Sequence, residues 1–138
     1  MNWHTRVRDV MSGDPVSVDV NDPPSRVQQV LSDRPFHHLS VIDGGVLVGV
    51  VSTVDLARVS LGAWVKDGPT QQAWLDATFQ MKDVMTFEPE CIHVDDPIKL
   101  AADKLSAGSF HCLPVLDDAD QLVGMLTSTD LIRFLVTA

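Results

Sequence analysis

Apolar and polar residues alternate along VSVDV at 16–20, and more loosely along ECIHV at 90–94, which is the period of a short half-buried strand. Helical spacing then takes over, at Val27, Val30 and Leu31 and again at Ala101, Ala102 and Leu105. Asp22-Pro23-Pro24 and Asp96-Pro97 precede these stretches and suit an N-cap and first turn, while Gly108 suits the end of the second helix. Two apolar runs split by a polar turn come next, HLSVID with VLVGVV and CLPVLD with QLVGML, and each pair predicts a hairpin. A last helix is expected over about 53–62 and about 128–136.

Each half therefore reads β-α-β-β-α, and the halves are copies. DVM at 9–11 returns at 83–85, Pro15 as Pro89, and FHHLSVID at 36–43 as FHCLPVLD at 110–117, all 74 residues apart. The turn DGG at 43–45 is answered by the longer DDAD at 117–120, after which LVG at 47–49 matches LVG at 122–124. A length change confined to a turn is what a duplicated structural unit shows. The expectation is an α+β chain with one unit over 1–62 and a second over 83–138. A partly helical connector over 63–82 would cover apolar surface with Trp64, Trp74 and Phe79, read as core or dimer-interface anchors. Units of this size bury a core poorly alone, so the two are expected to pack on each other.

Composition narrows the function. The 138 residues carry 10 Lys+Arg against 19 Asp+Glu, a net charge of −9, a poor footprint for a nucleic-acid binder. No apolar run approaches the roughly 18 residues of a membrane span, and MNWHTRVRDVM has no signal-peptide core. Cys91 and Cys112 form neither a disulfide framework nor a metal-ligand spacing, so the expected compartment is the cytoplasm. His37 and His38, adjacent on a strand, point to opposite faces and cannot easily chelate one ion. No histidine stands at a defined local spacing from Ser52 or Thr127, and no nucleophile setting surrounds the cysteines, so no catalysis is expected.

The most informative stretch is GVVSTVDLAR at 49–58, echoed by GMLTSTDLIR at 124–133. Ser52-x-x-Asp55 and Thr127-x-x-Asp130 have the spacing of a capping box, which requires no ligand. A helix N-terminus after a strand is equally a place for an anion, with free amides that hydroxyls can supplement. The aspartates would repel a phosphate but could accept from a neutral diol. Both roles remain open on the residues alone. Arg58 and Arg133 read as solvated helix residues.

The two β-α-β-β-α units, each with DVM near its start and G-h-h-[ST]-x-x-D (h, apolar) before its last helix, resemble a tandem pair of CBS domains, the cystathionine-β-synthase type. The resemblance covers nearly the whole chain. It implies two units packed through their sheets with pseudo-two-fold symmetry, often dimerising. It also implies clefts that take adenosine-containing ligands such as AMP, ADP, ATP or S-adenosylmethionine. By that resemblance Asp55 and Asp130 meet ribose hydroxyls, while Ser52, Thr127 and Thr129 meet phosphate. Ser12, Thr86 and Val16 would line the adenine side, with Glu90 a poor counterpart to Val16. His37, His38 and His111 would face the phosphates. Val54 and Cys112 supply neither the second hydroxyl nor the charge found in binding members. The expected function is a regulatory sensor without a required cofactor, a homodimer signalling to a protein partner in trans. The alternative is an interaction scaffold of the same fold with degenerate clefts.

Overall fold

The computed structural model describes residues 2–13, 15–32, 34, 38–60, 68–108 and 111–137. These form two compact units, residues 16–89 and residues 1–15 with 90–138. In the first, strands β2 (Ser17–Asp19), β3 (His38–Asp43), β4 (Val46–Ser52) and β5 (Thr86–Phe87) lie in the order β2-β3-β4-β5. β2 runs parallel to β3 and the other pairs are antiparallel. In the second, β1 (Ser12–Gly13), β6 (Ile92–His93), β7 (Cys112–Leu116) and β8 (Leu122–Thr127) repeat the plan in the order β6-β7-β8-β1. The helices are α1 (Ser25–Leu31), α2 (Thr53–Ser60), α3 (Gly68–Thr78), α4 (Met81–Val84), α5 (Ile98–Ser106) and α6 (Ser128–Thr137). The chain is thus α+β, with the expected helix and hairpin in each repeat.

The compact units do not follow the sequence repeats. β1, which follows the first DVM, closes the sheet built by the second repeat, pairing Ser12 with Met125 and Gly13 with Gly124. β5, which follows the second DVM, closes the sheet of the first repeat, pairing Phe87 with Gly49 and Thr86 with Val50. Each repeat therefore donates its opening strand to the sheet of the other.

One face of each sheet packs under helices. Leu39, Val41 and Val51 join Val18, Val27 and Leu31 in one core, and Leu113, Val115 and Leu126 join Ile92, Ile98 and Ala101 in the other. Period-two alternation along β3 and β7 selects these residues. At roughly 25 cal/mol per Å² of apolar area, each large side chain so buried contributes about 1.5–3 kcal/mol before entropy is counted.

Asp22 and Asp96 are not the N-caps their spacing predicts. Their Oδ2 atoms turn back to accept the N–H groups of Asp19 and His93, both at 2.9 Å, and so fix the turn that leaves the strand. The cap positions fall to Pro24 and Pro97, which have no side-chain acceptor. Acceptors come instead from the segment that precedes the DVM closing the same unit. Asp76 of α3 takes the Ser25 N–H at 2.9 Å and the Ser25 hydroxyl at 2.6 Å. The Ile98 and Lys99 N–H groups donate to the carbonyls of Thr5 and Trp3 at 2.8 and 3.3 Å.

The connector is helical over α3, where Leu75 is buried and Trp74 meets Phe79 edge-on, ring centroids 5.9 Å apart. Trp64 lies outside the described residues.

Candidate functional site

Each hairpin delivers its last strand directly into a helix, so the Ser/Thr-x-x-Asp stretch straddles the junction of β4 with α2 and of β8 with α6. The capping box forms fully in both. The Ser52 N–H donates to Asp55 Oδ2 at 2.9 Å, and the Asp55 N–H donates to Ser52 Oγ at 3.1 Å. The Thr127 and Asp130 pair repeats both distances. In each case the hydroxyl oxygen accepts, leaving its proton to donate elsewhere. The remaining carboxylate oxygen, Oδ1, meets an arginine one turn on: Arg58 at 3.2 Å from Asp55 and Arg133 at 3.5 Å from Asp130. Asp130 is buried and Asp55 half-buried, while both arginines are mostly exposed.

Strand register decides what shares a face with these hydroxyls. His38 stands directly across from Ser52, and Cys112 across from Thr127, so each pair has neighbouring side chains on one face. Two residues back along the same face, Val50 faces Thr86 on β5 and Met125 faces Ser12 on β1. The structure therefore groups His38, Ser52, Asp55 and Thr86 in one unit, and Ser12, Thr127, Thr129 and Asp130 in the other. Ser12 and Thr86 are each brought to the last strand of the opposite repeat's hairpin, an exchange that follows from the swapped edge strands.

The glycine opening each motif is needed for that exchange. A Cβ on Gly49 would come within 2.8 Å of both Met85 Sδ and the Thr86 carbonyl oxygen. The DVM methionine thus seats on the glycine of the other repeat's motif, which ties the two sequence signatures together physically.

His111 is exposed, and its carbonyl accepts the Ser128 N–H at 2.9 Å and the Ser128 hydroxyl at 3.2 Å, bracing the start of α6. Thr129 is exposed beside it. Val16 is half-buried against the first core. Glu90 turns to Lys104 of α5, 2.8 Å away, so its charge is paired. Burial pushes the Cys112 thiol up, so it is neutral at pH 7 and places no charge opposite Thr127. His37 lies outside the described residues. The residues missed from sequence are Arg58 and Arg133 as partners of the aspartates; their Asp-x-x-Arg spacing on a helix was the available signal.

Among the described residues, one His/Asp cluster lies elsewhere: the ligand atoms of His93, Asp95 and Asp118 fall within 4.8 Å of one another. His93 Nδ1 accepts the Asp95 N–H at 3.0 Å, which puts the proton on Nε2, where it donates to Asp118 Oδ1 at 2.7 Å. Arg6 and Arg8 occupy Asp95. A cation would have to displace that proton and face two guanidinium groups, so the arrangement is a hydrogen-bonded ion cluster.

A repeated strand-to-helix capping box, its sheet closed by the short strand that follows DVM, marks the CBS domain. The CBS domain family model matches twice, over residues 7–62 and 81–137, and the chain belongs to that family. It is 28% identical over 130 residues to L-aspartate semialdehyde sulfurtransferase of Methanocaldococcus jannaschii, covering 94% of this chain but 23% of that protein. Among solved structures it resembles the CBS domain pair of protein MJ0100 in complex with 5′-methylthioadenosine and S-adenosyl-L-methionine, with 26% identity and a TM-score of 0.75 over 96% of this chain and 97% of that one. It also resembles CBSX2 from Arabidopsis thaliana in complex with AMP, with 26% identity and a TM-score of 0.78 over 96% of each chain. The chain spans under a quarter of the length of the sulfurtransferase it matches. No described helix is long and apolar enough to cross a membrane.

Proposed function

We propose that this chain is a regulatory sensor of adenosine-containing ligands. Asp55 and Asp130 accept from ribose hydroxyls, and Ser52, Thr127 and Thr129 donate to phosphate or to the group that replaces it. His38 with Thr86, and Ser12 with His111, flank the two sites. The observation that carries the reading is that both units present the same buried or half-buried carboxylate, held by the same capping box, on the face closed by a hydroxyl-bearing edge strand. The ligands named for the two similar CBS pairs are all adenosine compounds, which supports the class. Occupancy would shift a conformational equilibrium by its differential affinity for two states, and a homodimer in the cytoplasm would pass that shift to a protein partner. The module itself performs no catalysis in this reading.

A second reading is an interaction scaffold that holds no nucleotide. It draws on the capping boxes, which engage the aspartates within the fold, and on the neutral Cys112. Calorimetric titration with AMP, ADP, ATP and S-adenosylmethionine separates the two. Saturable binding lost on Asp55→Ala or Asp130→Ala is the expected result; no binding of any of them at millimolar concentration leaves the scaffold.

A further inference from the structure

We infer that Arg58 and Arg133 are positioning residues that aim the carboxylates of Asp55 and Asp130 at a ribose diol; this rests on the sensor reading above. In each unit one carboxylate oxygen is already fixed, Oδ2 on the N–H of the cap residue at 2.9 Å. The guanidinium takes the other, Oδ1, at 3.2 Å in the first repeat and 3.5 Å in the second. Two anchors on two oxygens stop rotation about the last side-chain bond, so the free lone pairs keep one direction. Reading two adjacent hydroxyls requires that, because both bonds form only when the acceptor plane is set beforehand.

The arrangement recurs although the surrounding residues differ: Ser52 against Thr127, Val54 against Thr129, Ala57 against Ile132. Side-chain exposure of 68% at both arginines shows that the pairs are worth little as stabilising bonds in themselves. A device kept at both sites but weak for stability is better explained by its effect on the aspartate it touches.

The test titrates AMP and adenosine against the full chain, Arg133→Ala and Arg133→Lys, all carrying Asp55→Ala so that the second site is read alone. Acting through the diol, Arg133→Ala weakens AMP and adenosine by the same factor, roughly threefold for an exposed pair, and lysine restores part of it. The melting temperature stays within a degree or two, since the capping box is untouched. A loss confined to AMP shows that the arginine touches phosphate and overturns the inference, as does no loss or a gain. AMP binding that Asp130→Ala abolishes and Arg133→Ala leaves alone breaks the inference while the sensor reading stands. AMP binding without any adenosine binding, or no binding of either in this background and in the mirrored one (Arg58 variants carrying Asp130→Ala), removes the ribose anchor and both claims with it.

Discussion

Met11 lies against Gly124: a Cβ added at Gly124 would come within 2.5 Å of the Met11 sulfur and 2.9 Å of the Ser12 carbonyl oxygen. The thioether can swing aside, but the carbonyl belongs to an edge strand paired to the same position. Gly124→Ala is therefore expected to destabilise the fold by about 1–3 kcal/mol, the usual cost of overpacking. Gly49→Ala should do the same. Gly13→Ala, which meets nothing within 4 Å, is the control, expected within about 0.5 kcal/mol of the native chain in denaturant melts.

Thr127 and Asp130 serve the fold and the proposed ligand at once, and one substitution separates the roles. Thr127→Ala and Asp130→Ala each remove a capping bond and should cost about 1 kcal/mol. Asp130→Asn keeps an oxygen to accept the Thr127 N–H, so the melting temperature should barely move. It loses the charge that strengthens bonds from a diol, and AMP affinity should fall roughly tenfold.

Arg8, followed by the weaker contribution of Arg6, holds the Asp95 carboxyl below the usual carboxylate range. A depressed folded-state value means the contribution is fully present above the unfolded value, near pH 4, and is lost as pH falls through the lower folded value. The difference in melting temperature between the native chain and Asp95→Asn should therefore close as the solution is acidified below about pH 4. It should also narrow in high salt, because the pair is partly exposed.

Ser40 has a fully buried hydroxyl with no hydrogen-bond partner among the described residues, at the position where the second repeat has Pro114. Ser40→Ala removes that unpaired group while keeping the Cβ, and should raise stability by about 1 kcal/mol. A lower melting temperature would show that the hydroxyl has a partner in solution.

Local pattern was enough to place the helices and hairpins, since burial on one face leaves a direct trace at Leu39, Val41, Leu113 and Val115. The shared motif carried the Ser52–Asp55 and Thr127–Asp130 pairs as well. Hidden from sequence was which repeat's DVM closes which sheet. An echo offset by 74 residues before the turn and 75 after it looks the same whether Ser12 pairs near Val50 or near Met125, because both partners carry the same pattern. The misplaced helix caps have a similar cause. An aspartate three residues after a strand end fits a helix cap or a turn back to the strand equally well by spacing, and Asp22 and Asp96 take the second. Arg58 and Arg133 were legible as helix residues but not as partners of Asp55 and Asp130, because exposed arginines on helices usually face water.

The exchange of edge strands also sets what would happen if the chain were cut. A break after residue 62 would leave one piece holding β1 and the other holding β5, each the closing strand of a sheet built largely by the other piece. Alone, either fragment has an unpaired sheet edge and an incomplete core. Mixed, the two should complement one another like the halves of a split reporter, reassembling without a peptide link and restoring both capping-box sites together.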